Sequence, residues 1–295
     1  MDNEKIEFYK NRSFGERLSA AADFLRQNWK VFYKNILIPA IPLVLLVAFL
    51  LPEYFKMVTL LSVGDTPAIL TSGSLVLLFI FAAICLSLYL YAMSGALMQL
   101  YEEGGLTDKT SWGDLSGRMF SNAGKIFLIG LVMFLLVIVV AMVAFLVGDF
   151  MASGIGRGIV VFLAFILIIG LIAAMVPLSL VIFPALFRGA STWESIRKSL
   201  SVGFKNWGST FGVLFIVGLM SVIISIIFEA PFQFWMLFNP GQTSVVLYLL
   251  AILFSLASVF VTPFLFVFLA FQYFSITEKE EGVSLQNKID EFDNL

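Results

Sequence analysis

Six long apolar runs divide the chain, at about residues 36–51, 75–100, 126–147, 159–187, 211–228 and 245–274. A bilayer core takes ~20 apolar residues of helix, so each run is a candidate membrane span; the first is short and carries Pro39, Pro42 and Pro52 around it. Runs one, three and five follow polar stretches with helical periodicity. Apolar residues recur at 14, 18, 21, 25, 29 and 32, then at 112, 115, 119, 123 and 126, then at 193, 196, 200, 204 and 207. Each stripe predicts an amphipathic helix lying in the membrane interface, followed by a hairpin of spans.

The starts of these helices are marked. Ser13 with Glu16, and Ser111 with Asp114, have the spacing of a capping box, in which the first side chain and the acid three residues on satisfy each other's backbone N–H groups. The third start is read at Thr192, where Ser195 stands in the acid's place, so it departs from the box; Glu194 still puts negative charge in the first turn. Each unit pairs a hydroxyl residue with an aromatic (Phe14, Trp112, Trp193) and carries an Asn further on (Asn28, Asn122, Asn206). The aromatics are offset by 98 and 81 residues. The pattern is that of three parallel repeats.

Between the runs, residues 52–74, 149–158 and 229–241 read as loops, rich in Gly, Pro and hydroxyl residues or in aromatics. Residues 1–12 read as a frayed polar start. Prolines 177 and 184 predict kinks in the fourth span, whose freed carbonyls need donors from neighbouring helices or water. Of the eighteen Lys and Arg, sixteen fall before residue 36 or within 101–125, 187–210 and 275–295; Lys56 and Arg157 are the other two. That asymmetry places both termini and all three amphipathic helices in the cytoplasm.

Composition agrees: 60% hydrophobic, 13% charged and a mean hydropathy of +0.98 are far from soluble averages. The net charge of −2, with basic residues confined to short segments, argues against nucleic acid as a partner. Anionic lipid headgroups on the cytoplasmic side are the expected polyanion, with a protein partner as a further candidate. No cleavable signal peptide is expected, since the first 35 residues are charged throughout. The chain has no His, which closes imidazole-based nucleophiles, zinc sites and proton relays, and its one Cys, Cys85, lies within an apolar run.

The expected architecture is therefore all-α: a single integral membrane domain with a cytoplasmic amphipathic segment at 1–35, a six-helix bundle over 36–274 as three hairpins, each preceded by an interfacial helix, and an acidic tail at 275–295. Leu285, Ile289 and Phe292 of that tail have helical spacing and could dock on the basic helices.

Phe187-Arg-Gly-Ala-Ser-Thr-Trp-Glu-Ser-Ile-Arg-Lys-Ser-Leu with Gly203-Phe-Lys-Asn-Trp, and the ending Phe271-Gln-Tyr-Phe-Ser-Ile-Thr-Glu-Lys-Glu-Glu-Gly-Val, resemble bacterial six-span membrane proteins of the YciC-like group and the membrane domain of some glycerophosphodiester phosphodiesterases. The resemblance implies a bacterial inner-membrane protein and brings no catalytic residues or cofactor with it.

Candidate site residues fall in two groups. Glu229, with Gln233 beside it and with Gln99 and Gln272 near the other ends of spans two and six, could form a polar pathway, because intramembrane carboxylates and amides are costly unless used. Trp29, Lys30, Trp112, Trp193, Arg197, Lys198, Lys205 and Trp207 combine aromatic anchors with basic charge, the chemistry of an interface with anionic lipid. Asp65 and Asp149 each follow Gly, but in loops and without the flanking pattern of intramembrane aspartyl proteases. The leading expectation is a non-enzymatic lipid- or protein-interacting membrane component without cofactor or metal; the alternative is a transporter or channel for a small solute.

Overall fold

The computed structural model describes residues 5–63, 66–152, 157–239, 242 and 244–284. These form eight helices: α1 (Phe14–Val63), α2 (Thr66–Glu102), α3 (Trp112–Ala152), α4 (Arg157–Leu178), α5 (Ile182–Phe187), α6 (Thr192–Lys205), α7 (Trp207–Phe238) and α8 (Val245–Glu281), with no strand among the described residues. Among the described residues, six segments are long and apolar enough to cross a membrane: Phe14–Val58, Gly73–Glu102, Trp112–Met142, Phe165–Phe187, Trp207–Phe238 and Val245–Glu281. The chain is an all-α, multi-pass membrane protein.

The helices are longer than the sequence suggested. In the first two units the amphipathic lead-in and the span are one unbroken helix, α1 of 50 residues and α3 of 41. Only the third unit separates them, as α6 and α7. The expected loop at 52–74 is instead the end of α1 and the start of α2, around the two residues 64 and 65 outside the description. Likewise α3 and α4 take up most of 149–158, and α7 continues through Pro231 to Phe238. Gly and Pro that would end a helix in water do not do so here, because a segment in hydrocarbon satisfies its backbone only by staying helical. Asp65, Gly241, Leu285, Ile289 and Phe292 lie outside the described residues, and the side chain of Asp149 is also outside the description.

By contacts, the chain divides into two compact units. The first comprises residues 1–6, 19–123 and 215–268. Its core gathers Ala48 and Leu51 of α1, Phe232 of α7, and Leu247 and Ala251 of α8, ringed by Phe55, Phe79, Trp235 and Phe254. The rings interlock edge-on and tilted, with Phe232 5.4 Å from both Phe55 and Phe254. One proline-freed carbonyl is met by a donor from a neighbouring helix. Pro39 has no N–H for the Asn35 carbonyl four residues back, and the Tyr89 hydroxyl of α2 lies 3.0 Å from that oxygen and 2.9 Å from the next, that of Ile36. The Tyr33 hydroxyl donates to the Phe260 carbonyl, 3.3 Å away, in the turn before Pro263.

The second unit comprises residues 7–18, 124–214 and 269–295. The expected single fourth span is broken in this unit at 179–181, where turn bonds such as Leu180 N–H to the Pro177 carbonyl (3.1 Å) separate α4 from α5. Pro184 then sits in the first turn of α5, where its missing N–H costs nothing. The N-terminal segment is not frayed over its described part: Phe8 is buried and stacks on Phe274 at 4.8 Å, and the Arg12 N–H donates to the Ser275 hydroxyl at 3.0 Å. Ile129, Val181, Ala185 and Ile196 form a second apolar cluster, against which Leu200 packs.

Candidate functional site

Helix α6 is the only one of the three amphipathic segments that stands alone, and its start corrects the sequence assignment. The N-cap is Ser191, not Thr192. Its hydroxyl accepts from the Glu194 N–H at 3.3 Å, and the Glu194 carboxylate accepts from the Ser191 N–H at 3.4 Å, a complete capping box. Corresponding contacts are made by Glu16 with Ser13 (2.7 Å) and Asp114 with Ser111 (2.8 Å). All three units thus open on Ser with an acid three residues on. Asn28 and Asn206 donate to the carbonyls four residues back, of Phe24 and Val202, whereas Asn122 donates across to the Ala92 carbonyl of α2.

The apolar stripe expected on α6 is not its buried side. Ile196 is buried, whereas Trp193 and Phe204 are 69% and 51% exposed. The buried side is a different stripe, at intervals of four residues. Ser195 and Ser199 are buried, the Ser199 hydroxyl donates to the Pro177 carbonyl, and Gly203 lies so close to the Pro177 ring that a Cβ would fall 2.4 Å from the proline Cβ. One turn further, at the start of α7, the Trp207 indole N–H donates to the Ala173 carbonyl at 2.8 Å. Ala173 is four residues before Pro177 and has lost its intrahelical donor to that proline. Ser199, Gly203 and Trp207 therefore serve the end of α4 around Pro177, and Trp193, Arg197 and Phe204 are left on the other side.

Those basic residues differ from one another. Lys198 and Arg188 both pair with the Glu281 carboxylate, Lys198 at 2.9 Å, and Lys205 pairs with Glu280 at 3.3 Å, to which the Asn206 amide also donates at 3.2 Å. The end of α8 thus neutralises part of the positive charge of α6. Arg197 is exposed and makes no ion pair among the described residues, and neither does the exposed Lys30. Trp29 and Trp112 are exposed, at 55% and 41%, while Trp207 is turned inward to its hydrogen bond.

Of the four residues of the expected polar pathway, Gln99 and Gln272 are each held in a hydrogen-bond network within their own unit. Gln99 exchanges amide hydrogen bonds with Asn122 of α3, at 3.0 and 3.4 Å. Gln272, fully buried in the second unit, accepts from Arg17 at 2.8 Å and donates to Ser209 and Thr210 at 3.2 and 3.0 Å. Arg17 also donates to Ser209 at 2.5 Å, so this network holds a half-buried guanidinium that the sequence analysis did not single out. Its spacing from the Ser13 cap, one turn into the helix, is the signal that could have drawn attention to it.

Glu229 and Gln233 do share a site. They lie one turn apart on α7 and line a surface groove with Val222, Ser225, Phe234 and Leu237. On its other side Glu229 lines a cleft of about 340 Å³ within the first unit, walled by α1, α2, α7 and α8. Ser225 and Glu229 belong to both hollows. The polar residues of the cleft are Glu229, Ser225, Ser87, Ser255, Ser258 and Thr262; its remaining walls are apolar, with Phe79 and Phe254 among them.

Compared with known proteins, the chain matches no family model, no curated protein and no solved structure.

Proposed function

We propose that this integral membrane protein resides in a bacterial inner membrane with both termini in the cytoplasm, and that it acts without catalysis by binding anionic lipid headgroups, and a protein partner beside them, through its amphipathic segments. The distribution of sixteen of the eighteen Lys and Arg supports the orientation. The observation that carries the reading is the division of α6. Ser199 and Gly203 of its buried side are committed to Pro177, and what remains is an edge of Trp193, Arg197 and Phe204, aromatic and cationic, the composition that settles at a headgroup layer. The three Ser-capped starts support a common origin for the three units, as hairpins with cytoplasmic lead-ins.

The test is lipid retention. The protein is purified from membranes containing phosphatidylglycerol and cardiolipin, and the bound lipid is measured by mass spectrometry for the parent chain and for Arg197→Ala with Trp193→Ala. One basic residue near an anionic surface is worth about 1 kcal/mol, so a several-fold loss of anionic lipid is expected. Equal retention would remove α6 as the lipid-binding edge.

One observation favours a second reading, a conduit for a small solute: the cleft beside Glu229 places a carboxylate and five hydroxyl residues among apolar walls. Solute flux in proteoliposomes that is unaffected by Glu229→Gln would reject it.

A further inference from the structure

We propose that the cleft at Glu229 binds a small lipophilic molecule carrying a single positive charge. It is the lining chemistry of this cleft that selects such a ligand. The cleft has one carboxylate and no Lys or Arg on its walls, and Glu229 makes no ion pair among the described residues. The half-buried Glu229 carboxylate borders this mainly apolar hollow with no basic partner, and a cationic occupant supplies the counter-charge that the protein does not.

Two of the five hydroxyl groups point the same way. The Ser255 hydroxyl donates to the Ala251 carbonyl at 2.9 Å and the Ser258 hydroxyl to the Ser255 carbonyl at 2.8 Å, so the proton of each is already committed within α8. What these two groups can still offer is lone pairs, which accept from an N–H or solvate a cation and cannot donate to an anion. The remaining walls, Leu51, Leu86, Val261, Phe79 and Phe254, suit an apolar body, and aromatic faces attract organic cations. A hard metal cation would want a shell of oxygens; these walls are mainly hydrocarbon. The volume of about 340 Å³ is at the small end of ligand pockets, which run from roughly 300 to 1,000 Å³.

The inference rests on the same site as the second reading above but not on translocation, since it is tested by binding at equilibrium. A protein that binds the cation and shows no flux would reject the conduit alone.

The probes are benzyltrimethylammonium and its uncharged carbon isostere, neopentylbenzene, each measured by equilibrium dialysis against the full chain in lipid nanodiscs, with empty nanodiscs subtracted. The parent is expected to bind the cation saturably and at least about tenfold more tightly than the isostere, a difference of about 1.4 kcal/mol. Glu229→Gln is expected to abolish that preference and Glu229→Asp to retain most of it. Ala83→Phe, which fills the cleft without touching charge, is expected to weaken both probes. Equal binding of the two probes to the parent would overturn the proposal, and it requires no variant to fold. A cation preference that survives Glu229→Gln would also overturn it.

Discussion

The indole N–H of Trp207 lies 2.8 Å from the carbonyl oxygen of Ala173, the acceptor that Pro177 leaves without a donor in its own helix. A kink in one helix is thereby satisfied by the first residue of another. The same device recurs where the Tyr89 hydroxyl meets the Asn35 carbonyl behind Pro39, 3.0 Å away. In both places an amphipathic aromatic brings a single donor into an apolar layer, where an unpaired carbonyl is costly.

Trp207→Phe keeps the ring and loses the donor, so it is expected to destabilise the protein by about 1–3 kcal/mol, read from thermal unfolding in detergent. A double-mutant cycle makes this specific. In a Pro177→Ala background the Ala173 carbonyl regains its helical donor, and Trp207→Phe is expected to cost much less. Equal costs in the two backgrounds would show that the indole acts by packing alone.

Gly203→Ala is expected to disrupt the docking of α6, because the added Cβ would meet the Pro177 ring at 2.4 Å; Gly208→Ala, with nothing within 4 Å, is the matched control. The expected penalty is about 1–3 kcal/mol for Gly203→Ala, with Gly208→Ala near neutral, by the same unfolding measurement. Similar melting of the two variants would mean that α6 does not rest on the kink.

How far this arrangement could be seen in the sequence depends on how local each part is. The apolar runs, the Ser13 and Ser111 caps and the need for donors at the prolines were legible, since each is a property of a few neighbouring residues. The third cap reads one residue late, at Thr192, because Ser191 and Thr192 are adjacent hydroxyl residues, although Ser191 alone has an acid, Glu194, three residues on. The stretch 52–74 reads as a loop only if Gly and Pro are weighted as they act in water, and the aromatic segment from Glu229 continues α7 as far as Phe238. Trp207 as partner of Ala173, and Ser87, Ser225, Ser255 and Thr262 as walls of one cleft, depend on which helices meet, and no spacing along the chain encodes that.

Releasing the α8 clasp is expected to strengthen lipid binding. Glu280→Gln with Glu281→Gln removes the partners of Lys198, Lys205 and Arg188, which leaves three cations free for headgroups. Retained anionic lipid is expected to rise, and more so at low ionic strength. The stability change should be small for Lys205 with Glu280, since Lys205 is exposed and such pairs contribute about 0–1 kcal/mol. Unchanged lipid in the double variant would show that these lysines do not face the membrane.

The orientation is tested independently by reporter fusions after Thr66, Ser153 and Gly241, all expected to report the external side. A cytoplasmic signal at any two of them would reverse the topology and remove α6 from the anionic leaflet.

The depth of Trp193 tests the central claim most directly. In nanodiscs of anionic lipid carrying a spin label either beside the headgroup or deep in the acyl chain, the fluorescence difference between the parent chain and Trp193→Phe isolates that indole. Strong quenching by the shallow label and weak quenching by the deep one is the result expected of an interfacial helix. An indole quenched by neither label, and reached instead by a water-soluble quencher, would contradict it.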